Sequence, residues 1–185
     1  MSFLSPRTLF IALSMTIVAA AAACHAVGGA STRPVVKPAS PAEEQALLEP
    51  VRKLEGEWVT KDEKGQEVVS VFKPTSNGTA VREIMFVGTP HEMTNVYHMD
   101  GPDLVVTHYC AMGNQPRMRA KAGGKPGVLE FTFDGVSNLQ KADEPYMGSL
   151  TITIVGADTM RQDWRTYRDG KLEEQPVSFE FKRKK

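Results

Sequence analysis

From Trp58 to the C-terminus, apolar and β-branched residues recur at every second position in short runs. The runs are GEWVT, EVVSVF, AVREIMFV, MTNVYHM, LVVTHYCA, PRMRAK, VLEFTF, SLTITIV, TMRQDWRTY and PVSFEFK, and the gaps between them carry Gly, Asn, Asp or Pro. A period of two marks strands with one face buried, and short turn-rich gaps join antiparallel neighbours. The pattern predicts about ten antiparallel strands in up-and-down order. Closing such a meander removes its two exposed edges, so the expected fold is an all-β barrel. Alternation assigns sides: Leu129, Phe131 and Phe133 share a face, as do Leu150, Ile152 and Ile154, and Val177, Phe179 and Phe181. By the same parity Gln162 points inward with Met160 and Trp164. The longest connection, Asp134 to Gly148, is expected to be a loop that gates one mouth.

Before Trp58 the period is helical. Ser40 is placed to cap, Pro41 suits the first helical position, and Glu43 and Glu44 lie where the helix dipole favours acids. Leu47, Leu48, Val51 and Leu54 fall on one face. Pro50 lacks an N–H, so it is expected to kink or divide the segment, giving one or two short helices that end near Gly56.

Residues 1–23 have the form of a secretory signal: a short start with Arg7, an uncharged apolar run from Leu9 to Ala23, then small residues. Ala21 to Cys24 resembles the lipobox of bacterial lipoproteins, which implies cleavage before Cys24 and a lipid on its sulfur. Ordinary cleavage after Ala23 or Ala26 is the alternative. Residues 24–40, rich in Gly, Ser and Pro, read as a flexible linker, and 41–185 as the folded domain. The chain is therefore expected to be exported to the cell envelope, with the membrane as a partner through Cys24. Lipidation of Cys24 leaves Cys110 without an intramolecular mate. The 22 Lys and Arg balance 22 Asp and Glu, and loss of Arg7 leaves one acid in excess, so nothing calls for nucleic acid.

A short helix, LEGEW and a meander of strands together resemble the calycin superfamily, the lipocalins and fatty-acid-binding proteins. Their first strand carries Gly-x-Trp, matched here by Gly56 and Trp58. The resemblance implies that Trp58 plugs one barrel end. From about Leu47 to Lys182 the chain also resembles uncharacterised exported bacterial domains of lipocalin-like type, through L-x-G-x-W, the VYH-x-DG hairpin and THYC-x-x-GNQPRM. No histidine follows His108 to match the haem ligand of nitrobindin-like barrels, so no cofactor is expected.

Chemistry concentrates around one hairpin. If it turns at Gly101-Pro102 and Met99 pairs with Leu104, Tyr97 lies opposite Val106 and Asn95 opposite His108. Met93, Asn95, Tyr97, Val106, His108 and Cys110 then share a face that suits a pocket wall. Gly113 to Pro116 read as a rim turn followed by Arg117. Candidate ligand contacts are Tyr97, His108, Asn114 and Arg117. Of Arg82 and Glu83, whichever faces inward needs a partner, for which Arg117 is a candidate. His108 and Cys110, two apart on a strand, are about 6–7 Å from one another, too far for a direct thiol–imidazole bond. His91, Glu92, His98 and His108 have no metal-site spacing. The leading expectation is a barrel that binds a small apolar or amphipathic molecule. A hydrolase or isomerase using His108, and a structural lipoprotein without a pocket, are the alternatives.

Overall fold

The structure is a computed structural model that describes residues 35–62 and 64–185. The expected leader, lipobox and lipidation site at Cys24 lie outside the described residues. Helix α1 spans Pro41–Arg52 and opens with a capping box: the Ser40 hydroxyl accepts from Glu43 N, and the Glu43 carboxylate accepts from Ser40 N at 2.7 Å. Pro50 does not divide it, because the missing N–H falls in the last turn and removes a single bond.

Eleven strands follow: β1 (Gly56–Lys61), β2 (Glu67–Thr75), β3 (Ala80–Met85), β4 (Met93–Asp100), β5 (Asp103–Tyr109), β6 (Gln115–Ala120), β7 (Val128–Ser137), β8 (Tyr146–Gly156), β9 (Thr159–Arg168), β10 (Lys171–Leu172) and β11 (Val177–Arg183). Each of β1 to β9 pairs antiparallel with the next, β11 pairs with both β9 and β1, and the ring closes. Two-residue β10 extends the β9 edge, so the barrel has ten strands. The segment from Asp134 to Gly148 is shorter as a loop than its turn residues suggested. Asp134–Ser137 continue β7 along β6 after a register shift beside Gly135, and β8 has begun by Tyr146.

One end of the barrel is closed by α1. Leu47, Leu48, Val51 and Leu54 are buried in the core that holds Trp58, Phe72 and Leu104. Trp58 is fully enclosed, its Nε1 donates to Leu54 O at 2.7 Å, and the Arg183 guanidinium lies 4.3 Å from its ring centre. Arg183 also donates to the carbonyls of Glu55 and Lys53 at 2.6 and 2.9 Å, which ties the last strand to the exit of the helix. Gly56 is required there: its φ is +120°, and a Cβ would stand 3.2 Å from Arg183 Nη1. The described chain also enters at this end, where Val36 lies against the Gly101 turn.

The opposite end is bordered by the β1–β2, β3–β4, β5–β6, β7–β8 and β9–β11 connections. Its inner wall carries Met85, Met93, Met147, Phe86 and Phe179, partly or fully buried against the core.

Candidate functional site

The register of β4 and β5 builds the site. Met99 pairs with Leu104, Tyr97 with Val106 and Asn95 with His108, the arrangement expected from a turn at Gly101-Pro102. Alternation then turns Asn95, Tyr97, Val106 and His108 into the barrel, and all four are buried.

On the neighbouring strand Glu83, not Arg82, faces inward, fully buried. Its Oε2 accepts from Asn95 Nδ2 and from the Tyr97 hydroxyl, both at 2.7 Å. Its Oε1 accepts from Gln162 Nε2 at 2.8 Å, brought across the barrel by β9. Gln162 Oε1 in turn accepts from Trp164 Nε1 at 3.1 Å. Three donors converge on one carboxylate, so its buried charge is compensated by hydrogen bonds instead of by a cation. Burial raises the Glu83 pKa above the ordinary carboxylate value, and the three donors pull against that rise. Burial, reinforced by the Glu83 charge, pushes the Tyr97 hydroxyl well above its usual value, so it stays a donor.

Glu83 also fixes the state of His108. Because Asn95 gives its amide hydrogens to Glu83 Oε2 and to Met85 Sδ, at 3.2 Å, its Oδ1 is left to face His108 Nδ1 at 2.7 Å. The imidazole therefore donates from Nδ1, and Nε2 carries a bare lone pair. That atom is buried and has no hydrogen-bond partner among the described residues. Desolvation lowers the His108 pKa from 6.5 to about 4, so the ring is neutral at pH 7. The Trp164 ring lies beside it, centroids 5.0 Å apart. His108 thus sits between Asn95 and Trp164, both of which lead back to Glu83. Ser70 Oγ, on the inner wall of β2, and Asn114 Oδ1 are further buried atoms without a partner among the described residues.

The remaining expected contacts separate. Tyr97 lies in the core behind His108, engaged with Glu83. Asn114 is buried, but its Nδ2 donates to Glu144 Oε1 at 2.8 Å and to Pro145 O at 3.2 Å, so it fastens the rim turn to the β7–β8 loop. Arg117 does not join the interior. It pairs with Thr107 on the outer face, at 2.7 Å from Asp100 Oδ2 and 2.8 Å from Asp134 Oδ2, beside Arg119 in the same ion network. Glu83 accordingly finds its partners without Arg117. Cys110 is half-buried just past β5, where its N–H donates to Asn114 O.

At the mouth Phe86 has φ +57°, a left-handed conformation that is unfavourable for a bulky side chain. Its ring meets that of Phe179 at 5.2 Å. Sequence reasoning missed Glu83, Phe86 and Ser70 as site residues, although it had placed Gln162 inward.

No protein-family model matches the chain, and no curated protein matches it in sequence. Among solved structures it is similar to "Crystal Structure of Rv2717c from M. tuberculosis", with a TM-score of 0.54 and 15% identity, over 80% of this chain and 99% of that one. The likeness is one of fold alone. It agrees with the closed antiparallel barrel and leaves the interior chemistry to be read from this chain's own side chains.

Proposed function

We propose that the protein is an exported barrel, held at the cell envelope through a lipid on Cys24, that binds a small apolar or amphipathic molecule at the end opposite the helix. One observation carries the reading: His108 Nε2 is a buried acceptor, fixed in its tautomer by Asn95 and left without a partner among the described residues. A native interior rarely leaves such a group unsatisfied, and a bound molecule is one way to satisfy it. The apolar, methionine-bearing mouth above it suits an adaptable binding wall. The Gly56-x-Trp58 resemblance to lipocalins and the leader before Cys24 are consistent with an exported binding protein. Tyr97 would act through Glu83, and Asn114 by holding the rim loop.

Catalysis by His108 is the second reading, because Asn95 leaves Nε2 free as a general base. A ring held near 4 is a weak base at neutral pH, which favours recognition. Native mass spectrometry of protein extracted from its own envelope tests the proposal. A small molecule retained by the wild type and lost from His108→Phe is the expected result, with a diacylglyceryl mass on Cys24. Bare protein, both as extracted and after incubation with envelope lipids, would end it.

A further inference from the structure

We propose that the molecule taken by this site is a small neutral amphiphile that donates a hydroxyl hydrogen to His108 Nε2, and that the site refuses carboxylates. This rests on the reading of the barrel as a binding protein and names the class of ligand.

The interior holds acceptors and neutral groups at the place where a ligand head would stop. His108 Nε2 offers a lone pair and no hydrogen, since Nδ1 holds the proton against Asn95. A carboxylate brought to it would face lone pair against lone pair. Protonating the imidazole to accommodate the anion is opposed by burial, which keeps the ring neutral well below pH 7.

Nor is there a cation to meet such a head. Among the described residues no Lys or Arg is buried, and the buried charged side chain is Glu83. Arg117 and Arg119 are turned outward onto Asp100 and Asp134, and Arg183 lies at the helix end over Trp58. A second anion in an interior that already contains a carboxylate, with no counter-charge, is strongly disfavoured. A hydroxyl avoids both penalties. It donates to Nε2, and its oxygen remains free to accept.

The route in is built from side chains that can yield. Met85, Met93 and Met147 line the mouth, and unbranched thioethers change rotamer at low cost. Phe86 stores strain at the same rim, at φ +57°, so leaving its closed position relieves part of the cost of opening. The alkyl part of the ligand would lie against these residues while the hydroxyl reaches His108 beside Trp164.

Calorimetric titration of the full chain at pH 7 with 1-octanol, methyl octyl ether and octanoate separates the outcomes. The alcohol is expected to bind about tenfold more tightly than the ether, which has the same apolar body and no donor. Octanoate is expected to bind no better than the ether. In folded His108→Phe the alcohol should fall to the level of the ether. Ether or octanoate binding as tightly as the alcohol to the wild type would overturn the proposal while leaving a binding barrel. Unchanged alcohol affinity in folded His108→Phe would overturn it too. Saturable binding by none of the three would overturn it together with the reading beneath it. The wild-type comparison stands even where the variant fails to fold.

Discussion

Asn95 Oδ1 stands 2.7 Å from His108 Nδ1 across the β4–β5 ladder, and Glu83, on the far side of the same amide, decides which way that amide faces. The protonation pattern of the imidazole is therefore dictated by a carboxylate it does not touch. Nitrogen-15 spectra of labelled protein at pH 7 should show His108 protonated at Nδ1 and bare at Nε2. The opposite tautomer would mean that the Asn95 amide is turned over.

His108 should also make stability depend on pH. Its folded value of about 4 lies below the ordinary 6.5, so the unfolded chain takes up the proton first. The contribution is fully present above pH 6.5 and is lost as pH falls toward 4, amounting to about 3 kcal/mol. Glu83 acts in the opposite sense, because its raised pKa makes the folded state the better proton acceptor there. The difference between wild type and His108→Phe, followed by urea unfolding from pH 7.5 to pH 4, isolates the histidine. Parallel pH profiles would contradict the assignment.

Glu83 should matter more as an acceptor than as a charge. Glu83→Leu leaves the donors of Asn95, Tyr97 and Gln162 facing hydrocarbon, and should cost about 3–5 kcal/mol in denaturant unfolding. Glu83→Gln keeps the shape and one acceptor oxygen, so it should cost less. A leucine variant as stable as the glutamine variant would show that the three bonds are not coupled to the fold.

How far the sequence revealed this arrangement depended on the residues that flank each polar group. The Gly101-Pro102 turn sets the β4–β5 register, and the apolar neighbours Met160 and Trp164 declare Gln162 inward. Glu83 was ambiguous, because Val81 and Met85 on its parity are balanced by Ile84 on the other. Its partners Asn95, Tyr97 and, seventy-nine residues away, Gln162 show which side wins. For Arg117 the signal was present: Met118 between Arg117 and Arg119 already implies that both arginines face out. The turn-like Asp134-Gly135 pair proved to be a register shift within a strand, which alternation alone does not distinguish from a loop.

Gly148 sits under the ring of Tyr167, where an added Cβ would run into the ring at Cδ2. Tyr167 is also stacked with Tyr146, centroids 5.4 Å apart, so it has little room to retreat. Gly148→Ala should destabilise the barrel by about 1–3 kcal/mol. In a Tyr167→Ala background the same substitution should add little, and a double-variant cycle by thermal unfolding checks this.

Arg183→Lys should lower stability by about 1–2 kcal/mol, since an ammonium cannot hold both carbonyls and lie flat over Trp58. Loss equal to that of Arg183→Ala, read from unfolding midpoints, is the expected outcome. Full rescue by lysine would assign the effect to charge alone.

That arginine stands at the place where the chain's two distant ends are sewn together. The β1–β11 ladder contains only the pairs Trp58 with Arg183 and Val59 with Lys182, whereas β1 and β2 share six. Every other seam joins strands close in sequence, so this one closes the longest loop of the barrel. If it parts, β1 and β11 present two unpaired edges that fit the corresponding edges of another molecule. Strand exchange between copies is then the failure this geometry invites, and Arg183 over Trp58 together with Lys184 on Glu57 stands against it.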